Sequence, residues 1–173
     1  MSLAPSRSLF FLAFLAGALT LGASFYLEFG ASLRPCFLCQ MQRGFLVVFT
    51  LINLLAAIHS PKRSAIYLYG VASMGCALLG AITAVRQVLL QNAAPELAGD
   101  CWPSLHHMIE NLSLWQALQL TVQGSVDCME ITWTLFDLSL PEWSLLFFLG
   151  MLMLGVMQFS RLFLSQRLRP ARH

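Results

Sequence analysis

The stretch Pro35-Cys36-Phe37-Leu38-Cys39-Gln40-Met41-Gln42-Arg43, followed by the uncharged run GFLVVFTLINLLAAIHS over residues 44–60, decides the fold. The run has the length of a membrane crossing, for which roughly 17 to 25 apolar residues are needed. It also places two cysteines, three residues apart, at the mouth of that crossing. Working outward, three further uncharged apolar runs follow the same rule: Ser8 to Leu27, Ser64 to Val85, and Trp143 to Ser160. None alternates apolar and polar residues as a barrel strand would. The expected fold is therefore an all-α membrane protein, a four-helix transmembrane bundle.

Composition points the same way. Of 173 residues, 58% are hydrophobic and only 10% charged, and the mean hydropathy is +0.71. A soluble domain carries about a quarter charged residues, so this chain needs the bilayer as part of its solvent. A net charge of +2 without a basic, aromatic-laced patch excludes a nucleic-acid partner.

Charge placement sets the expected orientation. Arg7 precedes the first run, Lys62 and Arg63 fill the turn between the second and third, and Arg161, Arg167, Arg169 and Arg172 follow the fourth. Basic residues flanking spans stay cytoplasmic. The segment from Gln87 to Trp143 has no Lys or Arg and holds seven of the eight acids. Both termini are thus expected in the cytoplasm, with loops at about 28–43 and 87–142 outside, on the side that is oxidising in bacteria. A cleaved secretory signal around Gly22-Ala23-Ser24 is the competing reading of the first run, which is long for that role.

The second external loop has a pattern of its own. Leu105, Met108, Ile109, Leu112 and Trp115 recur at helical spacing. Together with Trp102 they suit a short interfacial helix, or an amphipathic helix packed on the span ends. Gln123-Gly124-Ser125 reads as a break before Cys128.

The cysteines carry the chemistry. Pro35 suits the entry to a helix, and the first turn of a helix offers unpaired N–H groups and the positive end of its dipole. Both favour a thiolate, which is the reactive form of cysteine. Arg43, four residues beyond Cys39, shares its helix face and adds a full positive charge. Cys39 is therefore expected to be the nucleophile that meets an oxidant, with Cys36 its partner in a disulfide. Cys101 and Cys128 lie in the loop on the same side. Arg86 and Gln87 end the third span at the level of Arg43, where polar groups often mark a pocket and long cations also snorkel.

Plainer readings stand beside these. A stabilising disulfide explains paired cysteines. A zinc site would need a second close pair, and His106 and His107, adjacent in sequence, point apart on a helix; no metal is expected. Cys76 is a small apolar residue within span three.

The residues together resemble the DsbB family of bacterial inner membranes. The resemblance covers nearly the whole chain, read as a single membrane domain over residues 1–173. It rests on four spans, Pro35-Cys36-x-x-Cys39 before span two, Arg43, Cys101 and Asp127-Cys128 in the second loop, and Trp133 with Pro141-Glu142-Trp143 before span four. It implies a protein dithiol:quinone oxidoreductase that reoxidises the periplasmic thiol oxidase DsbA and passes electrons to ubiquinone or menaquinone. By the same resemblance, Cys101 would form the mixed disulfide with the partner. Cys128 would be its mate, and Cys36 would resolve that disulfide. Cys39 would engage the quinone, with Arg43 holding it; Arg86 and Gln87 are candidate quinone contacts from their place at the end of span three. Where the family often shows a histidine, this chain reads Arg86-Gln87-Val88.

The energetic logic is compatible. A strong thiol oxidant is regenerated only by a still stronger one, and quinones meet that need from within the bilayer. Two other readings compete. One is a vitamin K epoxide reductase-like enzyme, in which the membrane-proximal C-x-x-C follows the loop cysteines instead of preceding them. The other is a disulfide-braced four-span scaffold, which leaves Arg43 unexplained.

Overall fold

The computed structural model describes residues 4–30, 36–59, 63–92 and 134–167. Four long helices dominate: α1 (Ala4–Phe29), α2 (Phe37–His59), α3 (Arg63–Gln91) and α4 (Leu140–Arg167). All four are long and apolar enough to cross a membrane. Even the shortest, at 23 residues, is about 35 Å long at 1.5 Å per residue, against a hydrocarbon core of about 30 Å. Large side chains such as Leu19, Phe29, Leu68 and Met153 point outward from the bundle, as expected where lipid replaces water. The protein is a multi-pass membrane protein.

Each helix outruns the apolar run that announced it. The second span was read from Gly44, yet α2 starts at Phe37, with Cys36 just before it and Cys39 in its first turn. The third run was read to Val85, yet α3 reaches Gln91. Hydropathy stops at Arg43 and Arg86, but backbone hydrogen bonding does not, and a helix continues through the interface as long as its carbonyls find N–H partners. Glu28, read as a loop charge, consequently lies inside α1.

α1 packs on α2, α2 on α3, and α3 on α4. The core is built from Leu46 and Phe49 of α2, Ala77 and Ala81 of α3, and Phe148 of α4. Phe49 meets Phe147 edge-on with ring centres 6.1 Å apart. Near the middle of the bundle the Asn53 amide, 2% exposed, donates to Ser73 Oγ and to the Phe49 carbonyl, both at 2.8 Å. This satisfies a polar group that lipid would penalise. At one end Arg7 Nε of α1 donates to the Ala57 carbonyl in the last turn of α2 at 2.9 Å, supplying a cation where the helix dipole favours one.

Two glycines permit the close crossings, in the manner of small residues at membrane helix interfaces. A Cβ on Gly17 would lie 2.4 Å from Thr50 Oγ1, and one on Gly80 would lie 2.4–2.7 Å from three atoms of the Phe148 ring. Phe148 is 1% exposed and has no room to retreat. Gly80→Val should therefore destabilise the bundle by about 1–3 kcal/mol, read as a lowered unfolding midpoint in detergent. Gly150→Ala, where nothing lies within 4 Å of the added atom, should leave that midpoint unchanged.

A short hairpin precedes α4. β1 (Thr134–Leu135) pairs antiparallel with β2 (Leu138–Ser139), with Thr134 opposite Ser139 and Leu135 opposite Leu138. Its turn residues Phe136 and Asp137 have φ of 54° and 62°, the left-handed pair that a two-residue hairpin requires. Ser139 then stands immediately before α4, in the capping position. Glu142 accepts the Ser139 backbone N–H at 2.6 Å and the Ser139 hydroxyl at 2.9 Å, so the residue three positions on satisfies the amide that opens the helix. The expected interfacial helix between Leu105 and Trp115 lies outside the described residues, as do Cys101 and Cys128.

Candidate functional site: a dithiol at the start of a spanning helix

Cys36 stands immediately before α2 and its carbonyl accepts the Gln40 N–H at 3.1 Å, the first turn of the helix. Cys39 is the third helical residue, so both sulfurs sit where N–H groups lack intrahelical partners. The two thiols are not joined in a disulfide; they lie 3.1 Å apart and half-buried, with Cys36 Sγ donating to Cys39 Sγ. Leu38 and Leu90 close an apolar collar beside Cys36. The pair needs only a small inward movement of the sulfurs to form a disulfide bond of about 2.05 Å.

α3 supplies the polar partner. Gln87, 2% exposed, directs its side-chain amide at the dithiol, with Nε2 3.0 Å from Cys39 Sγ and 3.3 Å from Cys36 Sγ. Its Oε1 lies 3.5 Å from Cys39 Sγ and accepts from Gln42 Nε2 at 2.8 Å. Gln42, 5% exposed, in turn accepts the hydroxyl of Ser144 on α4. Three helices thus meet over the two sulfurs.

α1 holds the cation. Arg43 Nη1 is paired with the Glu28 carboxylate. Its Nε donates to Ser24 Oγ at 3.0 Å and its Nη2 to the Ser24 carbonyl at 3.3 Å. The guanidinium carbon lies 4.7 Å from the centre of the Phe25 ring, within cation–π range. Phe25 itself stacks on Phe29 with centres 6.2 Å apart, and both rings are exposed on the outer face. Arg86, one residue and about 100° round the helix from Gln87, is half-buried; the hydrogen bonds to the sulfurs come from Gln87.

Comparison with known proteins places the chain in a family. The family model for disulfide bond formation protein DsbB matches residues 6–158, nearly the whole chain. The chain belongs to the DsbB family. Its relatives include the disulfide bond formation protein B 2 of Pseudomonas fluorescens (strain Pf0-1), 49% identical over 93% of this chain and 88% of that protein. The protein of the same name from strain Pf-5 is 48% identical over 99% of this chain and 96% of its own length. Disulfide bond formation protein B 1 of Pseudomonas aeruginosa PAO1 is 41% identical, over 93% and 99%. Membership of the DsbB family gives the chain a general role, that of an oxidoreductase in disulfide formation.

The DsbB-like site joins residues the sequence flagged with others it did not. Cys36, Cys39 and Gln87 are brought into mutual contact, and Arg43 stands one turn below Cys39. Gln42, Ser144, Ser24, Phe25 and Glu28 were not singled out. A signal existed for two of them: Gln42 is a polar residue carried into a membrane span, a position that seldom lacks a purpose, and Glu28 is the lone acid outside the 87–143 segment.

Proposed function

We propose that this protein is an inner-membrane protein dithiol:quinone oxidoreductase, which reoxidises a periplasmic DsbA-type thiol oxidase and passes the electrons to ubiquinone or menaquinone. The observation that carries the reading is the Cys36/Cys39 dithiol at the first turn of a spanning helix, with the Gln87 amide donating to both sulfurs. The charge pattern supports an orientation with both termini cytoplasmic and the dithiol on the periplasmic side.

The residues present suit a quinone headgroup. Exposed aromatic rings at Phe25 and Phe29, the Arg43 guanidinium and the Gln87 amide give a flat ring both apolar faces and N–H donors. A bound quinone would supply the acceptor for two electrons and two protons. Cys39 would be the sulfur that reacts with it, and Arg43 would help hold it and steady negative charge beside that sulfur. Arg86 provides a second cation at the same level.

The electron route runs inward from the loop. A reduced DsbA-type partner attacks the Cys101–Cys128 disulfide at Cys101, and its second thiol releases it as a disulfide. The Cys101/Cys128 dithiol then reduces the Cys36–Cys39 disulfide, with Cys36 the sulfur exchanged. Each exchange breaks one S–S bond and forms another, so two electrons and two protons arrive at Cys36/Cys39 per disulfide made. Oxidation of that pair to a disulfide releases them to the acceptor.

Purified protein mixed with a reduced DsbA-type partner and a short-chain ubiquinone should consume one quinone per partner disulfide formed. Partner oxidation that is independent of quinone, or none at all, would overturn the proposal.

A further inference from the structure

We propose that Gln42 and Ser144 form a relay that fixes the direction of the Gln87 amide, presenting its N–H₂ to the sulfurs so that a negatively charged Cys39 is met by a donor that carries no titratable proton. The inference deepens the reading of Cys39 as the sulfur that faces the acceptor, and rests on it.

A glutamine side chain offers a donor at one corner and an acceptor at the other, and turning it by 180° exchanges them. At Gln87 that choice matters. With Nε2 toward the sulfurs, the amide stabilises a thiolate; with Oε1 toward them, it opposes one and accepts from a neutral thiol instead. Burial removes water as an arbiter, since Gln87 and Gln42 are 2% and 5% exposed. The direction must then be set by protein partners.

The chain of partners ends at a hydroxyl. Gln42 Nε2 donates to Gln87 Oε1 at 2.8 Å, which occupies that oxygen as an acceptor and leaves Nε2 nearer the sulfurs, at 3.0 and 3.3 Å against 3.5 Å from Oε1 to Cys39 Sγ. Gln42 itself is oriented by its Oε1, which accepts from Ser144 Oγ. Two oxygens in contact need a proton between them, and the Gln42 carbonyl has none, so Ser144 must donate. The alternative acceptor for that single proton is the Pro141 carbonyl, 2.9 Å from the same Oγ. If the proton goes there, Gln42 can turn, and Gln87 after it. Ser144 and Gln42 are thus positioning residues that act through Gln87. Their role is electrostatic, because hydrogen bonds to a charged acceptor are the strong ones.

Among the described residues, the charged groups at this end of the bundle are Arg43 on α2, Glu28 on α1, Arg86 on α3, Asp137 in the hairpin and Glu142 on α4, with Glu28 paired to Arg43 and Glu142 bonded to Ser139, and the Cys36 thiol is the titratable group that touches Cys39. Substitution of Ser144 or Gln42 changes no charge among them, so a displaced pH profile reports the relay.

The test is the rate at which N-ethylmaleimide modifies Cys39 in the reduced, full-length protein from pH 5 to 9, followed by quantifying the modified peptide. Ser144→Ala and Gln42→Met should each slow modification at pH 7 by about tenfold, the worth of one hydrogen bond to a charged group. They should reach the wild-type rate at high pH, and Ser144→Thr should restore the wild-type profile. Unchanged rates at pH 7 in both variants would overturn the relay. So would a fall of equal size at every pH, which would mark a change of access. The measurement needs neither quinone nor partner protein. A chain that alkylates as described yet never turns over quinone would lose the proposed function and keep the relay.

Discussion

Cys39→Ser should abolish quinone-coupled oxidation of a reduced DsbA-type partner, lowering turnover by roughly a thousandfold or more. The substitution is small and the site half-buried, so the bundle should fold with an unchanged unfolding midpoint. What is lost is chemistry: serine forms no disulfide, and its hydroxyl does not ionise in the range where a thiol does. Cys36→Ser should stop the cycle as completely but leave a different signature. Cys39 keeps its helix-start position, its Arg43 neighbour and the Gln87 amide, so it should still be modified rapidly by N-ethylmaleimide. Turnover in Cys39→Ser above a few per cent of wild type would place the reacting sulfur elsewhere.

Arg43→Ala should raise the apparent KM for quinone by about 10- to 100-fold, the equivalent of losing one or two hydrogen bonds from a charged donor. Thiol exchange at Cys101/Cys128 upstream should be affected far less, since Arg43 is bonded to Ser24 and Glu28 of α1. The same substitution strips the partner from Glu28, whose side chain is 27% exposed. A carboxylate left unpaired in a partly buried position costs about 1–3 kcal/mol. The double substitution Arg43→Ala/Glu28→Gln separates the two effects: stability should return while the KM defect persists. Arg43→Lys should not rescue, because an ammonium has no planar fork to span Ser24 Oγ, the Ser24 carbonyl and Glu28 together. A Lys variant with wild-type KM would show that charge alone suffices.

Much of this molecule could be read in the sequence because lipid is an exacting solvent. The runs from Ser8, Gly44, Ser64 and Trp143 each became a spanning helix, since no other structure satisfies a backbone there. The apolar runs stop up to two turns short of the helix ends, as with Gly44 for an α2 that begins at Phe37, a start that Pro35 before the cysteines does announce. Hydropathy registers where charges begin, whereas a helix stops only when its carbonyls lose their partners. The dithiol and Arg43 were legible because C-x-x-C and a cation one turn later form a local pattern. Ser144 had no such pattern, and the polar Gln42 and lone acid Glu28 gave a signal without a meaning, because that meaning lies in contacts between helices 45 to 102 residues apart in sequence or, for Glu28, across the α1–α2 connection. Gln87 illustrates the gap. It was flagged as a polar residue at a span end, but only its position over both sulfurs turns it into a thiol partner. Likewise the hairpin at Phe136-Asp137 had no sequence signal, because a glycine or asparagine usually marks that turn and neither is present.

The account stands most directly on whether a quinone drains the Cys36/Cys39 pair itself. Fully reduced protein, mixed anaerobically with one equivalent of ubiquinone and no partner protein, should yield a Cys36–Cys39 disulfide and one equivalent of quinol within a single turnover. Peptide mass spectrometry after alkylation reads both. Quinol formed while Cys36 and Cys39 remain alkylatable, or no quinol at all, would contradict it.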